Sequence, residues 1–126
     1  MEHVTEATEN YLETLLILSQ RLEEVHAIDI CTELGYSRST VSVFLKVMRE
    51  KGLVEVDGNN HIWLTEAGRA IAEPIYERHN ILLRMLELMG VDPKTAAIDA
   101  CKMEHDLSEE TYGCIRKFVS QMKKTQ

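Results

Sequence analysis

Apolar side chains recur every third or fourth position along most of this 126-residue chain, the spacing that turns one face of an α-helix toward a core. Over residues 6–22 the stripe is Tyr11, Leu12, Leu15, Leu16 and Ser19, with Asn10 and Glu13 one turn apart on its flank. A short helix over 28–34 follows, stopped by Gly35. Ser37 is the expected N-cap of a third helix that runs to about Lys51 and ends at Gly52. Val41, Phe44, Leu45 and Met48 (i, i+3, i+4, i+7) predict its buried side. The period then changes. "LVEV" at 53–56 and "HIWL" at 61–64 read as strands, and Asp57-Gly58 supplies a turn signal between them, so a β-hairpin is predicted. Thr65 caps a helical region from Glu66 to about Met89, in which Pro74 predicts a kink or a break into two helices. Gly90 ends it, Asp92-Pro93 opens a helix that carries "ACKMEH", and Ser108 begins a last helix trailing into a basic tail.

This order of elements predicts a mainly α fold: an N-terminal winged helix-turn-helix with a small β-hairpin wing over residues 1–70, then a helical domain over 71–126. No apolar run approaches a membrane span, and Glu2, Glu6 and Glu9 do not fit a signal peptide. Three scattered cysteines, Cys31, Cys101 and Cys114, make no disulfide framework. A cytoplasmic protein with reduced thiols and no membrane partner is the expectation.

The formal charge of −7 argues against a simple nucleic-acid binder, until the charge is located. Much of the excess acid lies in the first 24 residues, whereas residues 37–51 hold Arg38, Lys46, Arg49 and Lys51 against the single acid Glu50. Salt screens charges beyond roughly 8–10 Å, so a local basic patch can hold phosphate on an acidic chain. In a helix-turn-helix the helix after the turn enters the major groove of duplex DNA. Its outward residues here are Arg38, Ser39, Thr40, Ser42, Val43 and Lys46, with Ser37 at its start. Hydroxyls can bond phosphates or bases, Arg38 can clamp a phosphate or guanine, and Val43 can meet a thymine methyl. The wing tip "DGNNH" carries no lysine or arginine and contributes little electrostatic affinity.

A second constellation is Cys101, Glu104 and His105, spaced i, i+3, i+4 so that all three can converge on one helix face. Thiolate, carboxylate and imidazole are all first-row transition-metal ligands. The bland alternative is a buried helix cysteine beside two surface polar residues.

Five segments in order, "TENYLETLLIL", "SRSTVSVFLKVMREKGLVEV", "LTEAGRAIA", "ERHNILLRMLELMGVD" and "DACKMEHDLS", make the chain similar over nearly its whole length to the metal-dependent repressors of the diphtheria toxin repressor and manganese transport regulator type. The resemblance implies a metal-responsive DNA-binding regulator rather than an enzyme. It implies a repressor of metal-uptake genes that binds a palindromic double-stranded DNA operator as a metal-activated homodimer. The ligands it implies are Glu13 and the side chain of Asn10 from the first helix, His79 from the long helix, and Cys101, Glu104 and His105. A bound ion would then join the first helix to the C-terminal helices, and "ILLRMLELMG" with Ile71 and Ile75 would supply the apolar dimer surface.

The implied cofactor is Fe²⁺ or Mn²⁺, with other divalent transition metals also binding in vitro. Cys101 looks like the iron-responsive branch, while Glu13 and the lack of an SH3-like C-terminal domain look like the manganese branch. Asn10 departs from both, which place methionine or aspartate there, and Leu83 and Ala97 replace polar ligands of the iron branch's second site. The nearest rival is a metal-independent winged-helix regulator sensing redox state through Cys101, or a small molecule. A metallo-enzyme is a further rival, since ligands with an open position can activate water.

Overall fold

The computed structural model describes residues 5–124; Glu2 and the last residues of the basic tail lie outside them. The elements are α1 (Glu6–Arg21), α2 (Ala27–Leu34), α3 (Arg38–Glu50), β1 (Val54–Val56), β2 (Ile62–Leu64), α4 (Glu66–Leu88), α5 (Pro93–Met103) and α6 (Glu109–Lys124). The chain divides into two compact units, residues 1–73 and 74–126, with the division inside α4.

In the first unit Thr5 caps α1, its side chain accepting from the Thr8 amide at 3.1 Å. Tyr11, Leu12, Leu15 and Leu16 of α1 are buried. Each such burial is worth about 1.5–3 kcal/mol relative to exposure. Ser19 is exposed, its hydroxyl donating to the Leu16 carbonyl, and Leu18 is buried in the stripe instead. Helix α2 packs on α1 and α3, which places helix, turn and helix around one core. Gly35 closes α2 at φ +71°, a left-handed conformation that costs a glycine little, and its amide bonds the Cys31 carbonyl.

Ser37 caps α3 by accepting from the Thr40 amide at 3.2 Å. Val41 and Met48 are fully buried, Phe44 and Leu45 only half so. Phe44 stacks instead between Tyr11 and Tyr36, with ring centroids 5.3 and 6.5 Å away. The hairpin pairs antiparallel, Val54 with Leu64 and Val56 with Ile62, and the Ile62 amide donates to the Val25 carbonyl. That bond anchors the wing to the segment before α2. The turn falls where Asp57-Gly58 signals it: the left-handed residue is Asn60 (φ 62°), and Asp57 organises the loop by accepting from the Asn59 and His61 amides at 2.8 and 2.9 Å. Gly68 of α4 lies against the Leu53 carbonyl so closely that a Cβ would collide with it.

Helix α4 runs unbroken through Pro74, so of the expected kink or break into two helices the break does not occur. In the second unit Asp92 caps α5 with Pro93 in the first turn, and Ser108 caps α6 by accepting from the Thr111 amide. Leu82, Ala96, Ala100, Tyr112 and Val119 form its buried core. Phe118 on α6, Ile98 on α5 and Met89 after α4 remain more than half exposed. The architecture is mainly helical, a winged helix-turn-helix followed by helices. No helix among the described residues is long and apolar enough to cross a membrane.

Candidate metal centre and nucleic-acid interface

Helix α5 ends at Met103, short of the "ACKMEH" helix the sequence predicts. Glu104 is its C-cap, still in a helical conformation, and His105 follows in a turn. The convergence survives because the backbone keeps its helical sense through the cap. One ligand-type atom each from Cys101, Glu104 and His105 lies within 4.8 Å of the others.

Burial reverses the bland alternative: the carboxylate of Glu104 is inaccessible to solvent, and Cys101 is only half-buried. One oxygen, Oε2, sits 3.0 Å from His79 Nδ1 of α4. The other, Oε1, is 3.4 Å from His105 Nε2 and lacks a hydrogen-bond partner among the described residues. Burying a carboxylate costs several kcal/mol or more unless charge or donors compensate it. Here a buried carboxylate has an imidazole near each oxygen and a thiol grouped with it and His105, which is the donor chemistry of a borderline-soft divalent metal. The set fits such an ion.

Arg78 holds this arrangement from behind, and sequence reasoning overlooked it. Its Nη1 donates to the Glu104 carbonyl at 3.1 Å, its Nη2 to Glu109 Oε1 at 2.6 Å, and its guanidinium lies 4.6 Å over the Tyr112 ring. The only available signal was its place immediately before His79, which specifies nothing. Of the remaining implied ligands, Glu13 is buried and Asn10 half-buried, one turn apart on α1 in the first unit.

The residues expected to face DNA are all exposed: Ser37, Arg38, Ser39, Thr40, Ser42, Val43 and Lys46. They divide into groups. Arg38, Ser42 and Lys46 line a groove of about 800 Å³ between α3, the start of α2 and the wing, joined there by Arg49, Asn59 and Asn60. Thr40 and Val43 flank a smaller, apolar hollow of about 310 Å³ beside Thr8 and Phe44. The Ser37 hydroxyl bonds those of Ser39 at 3.2 Å and Thr40 at 2.9 Å, so the start of α3 is internally ordered.

Comparison with known proteins identifies both halves of the chain. Residues 3–62 match the iron-dependent repressor N-terminal DNA-binding domain, and residues 65–126 the iron-dependent repressor metal-binding and dimerisation domain. The chain is 35% identical over 117 residues to the transcriptional regulator MntR of Escherichia coli, covering 93% of this chain and 76% of that protein. It is 32% identical over 111 residues to the iron-dependent repressor IdeR of Mycobacterium tuberculosis, covering 87% of this chain and 48% of that one. The fold superposes on a manganese-dependent transcriptional repressor in complex with manganese with a TM-score of 0.79 at 24% identity, over 90% of this chain and 52% of that one. Thus the chain spans about half the length of the iron-dependent repressor and of the manganese-bound structure. Such proteins regulate transcription and are not enzymes. With matches to a DNA-binding domain over residues 3–62 and to a metal-binding and dimerisation domain over 65–126, the chain belongs to the iron-dependent repressor family.

Proposed function

We propose that this chain represses metal-uptake genes by binding a palindromic operator as a homodimer when Fe²⁺ or Mn²⁺ is available in the cytoplasm. Residues 1–70 act as the DNA-reading domain and 71–126 as the metal-binding and dimerisation domain. The observation that carries the reading is the buried Glu104 carboxylate between His79 and His105, with Cys101 beside it. His79, Cys101, Glu104 and His105 are the proposed ligands; Glu13 and Asn10 join them on the family resemblance alone. When bound, the divalent ion supplies the positive charge that a buried carboxylate and a thiolate require.

Each ligand must shed or lack a proton to serve, so the imidazoles act in their neutral form and Cys101 as thiolate. The thiolate tips the site toward Fe²⁺ over Mn²⁺. Ser37, Arg38, Ser39, Thr40, Ser42, Val43 and Lys46 are the proposed DNA contacts. Those lining the groove engage phosphate, and Thr40 and Val43 meet base edges.

Titration with Co²⁺ tests the ligand set directly, because a cobalt–thiolate bond gives a charge-transfer absorption. That band is expected in the wild type and absent from Cys101→Ser, with metal still bound more weakly. A wild type that binds Co²⁺ without the band would remove Cys101 from the centre.

A further inference from the structure

The face that receives DNA has an uneven source of positive charge. Helix α3 brings Arg38, Lys46 and Arg49 to one wall of the groove. Opposite, the wing from Val54 to Thr65 contains no lysine or arginine, and neither does the stretch from Leu22 to Tyr36 that forms α2 and its approach. In each of these segments a single residue can carry positive charge: His61 in the wing and His26 before α2. The fold brings them together, with ring centroids 6.5 Å apart, and His26 lines the groove itself.

Three carboxylates surround the pair. His26 lies 3.9 Å from both Glu24 and Asp29, and His61 lies 3.7 Å from Asp57. Two of these acids are fixed by the architecture. Asp29 accepts from the His26 amide at 2.8 Å at the start of α2, and Asp57 accepts the two amides that shape the wing loop. Those loop bonds, with His61 and His26 nearby, hold the Asp57 carboxyl below the usual carboxylate range, so it stays ionised. A DNA backbone crossing from α3 toward the wing therefore meets anions whose local counter-charge is two imidazoles. Arg38, Lys46 and Arg49 are the cations that line the same groove as His26.

Resting on the DNA-reading function above, we propose that His26 and His61 form the wing-side phosphate contact of this chain and take up protons from solvent as duplex DNA binds. Histidine changes charge between about pH 5 and 8, within the range where such a contact is tunable. The sign follows from linkage. Phosphate favours the imidazolium form, so DNA affinity rises as pH falls from about 8 to about 6 and the gain is lost as pH rises again. Metal binding runs the other way, because His79 and His105 bind a metal only when neutral. The two effects are separable at saturating metal.

The test is fluorescence anisotropy of the Mn²⁺-loaded protein on a labelled duplex at about pH 6, 7 and 8. Occupancy is checked in each buffer by the free Mn²⁺ signal in electron paramagnetic resonance. Wild type is expected to bind about three- to tenfold more tightly at the acid end, a linkage of up to one pKa unit. His26→Asn with His61→Gln, an asparagine retaining N-cap capacity, flattens that profile and lowers the salt slope at the acid end by about one per contact removed. Unchanged helical circular dichroism shows that the variant is folded, and His61→Gln alone gives a partial effect should the pair misfold. A fully loaded wild type with a flat pH profile overturns the proposal, as does a folded double variant that keeps the wild-type slope. In either case binding at neutral pH leaves the DNA-reading function standing. Failure of the loaded wild type to bind duplex at any pH overturns both.

Discussion

Glu104 shows why single residues carry the chemistry here. Its side chain is wholly buried, with the imidazoles of His79 and His105 within 3.4 Å of its carboxylate and Cys101 in the same cluster. The sequence marks the residue only by its spacing from Cys101 and His105; its burial and its approach to His79 across 25 positions come from tertiary packing. Truncating a partner should therefore weaken metal binding more than it weakens the fold. Cys101→Ala and His105→Ala are expected to lose about tenfold or more in metal affinity, read by isothermal calorimetry. Their metal-free unfolding midpoints should stay close to wild type, and equal metal affinity in variant and wild type would remove the residue from the site.

Asp57 gives a pH-dependent counterpart in the wing. Its folded pKa is lowered, first by the His61 amide, so the loop's stabilisation is present above the unfolded carboxylate value near pH 4 and lost as pH falls through the folded one. Hydrogen exchange at the Asn59 and His61 amides should be pH-independent in protection at neutrality and lose protection in acid. Tyr11 behaves with opposite sign. Burial, aided by Cys31, holds its phenol well above the usual tyrosine range, so stability falls once pH exceeds about 10 and only the unfolded chain ionises.

Helices and hairpin alike were legible from periodicity and caps, because their determinants are local. Ser37, Thr65, Asp92 and Ser108 each accept a backbone amide at the expected helix start. Elsewhere the structure adds to or departs from the local signals. Pro74 does not divide α4, and α5 stops at Met103, where the Glu104 carbonyl accepts from Arg78 of another helix. The hairpin forms where Asp57-Gly58 signals a turn, while the two later amides that the Asp57 side chain accepts and the left-handed Asn60 are details the pair does not specify. Gly68 is a further contact that no pattern announces. Its α-carbon packs on the Leu53 carbonyl just after the wing, so Gly68→Ala must displace backbone, a change expected to cost about 1–3 kcal/mol. A reduced midpoint in urea unfolding with an unchanged m-value is the predicted result; an unchanged midpoint would show that α4 shifts freely past the wing.

At the scale of the whole molecule, the central claim is that metal and DNA binding are one linked equilibrium. Linkage is reciprocal: a metal that raises DNA affinity must itself bind more tightly to the DNA-bound protein, by the same factor. Couplings of this kind are typically about 1–3 kcal/mol, or roughly 5- to 150-fold. Family membership and site chemistry both support such a link, whereas the operator sequence has no local signature in the chain. The choice between iron and manganese has only the Cys101 thiol, which favours the softer ion. The redox-sensing alternative places Cys101 outside any metal requirement and predicts DNA binding indifferent to chelator. One measurement separates them: recovery of bound genomic DNA fragments by the purified protein with Mn²⁺, with anaerobic Fe²⁺, or with chelator. Enrichment of a shared palindromic sequence with metal and its loss under chelator is the predicted result. Equal enrichment of that sequence under chelator would contradict the account, leaving a DNA reader whose Cys101, Glu104 and His105 do not switch it.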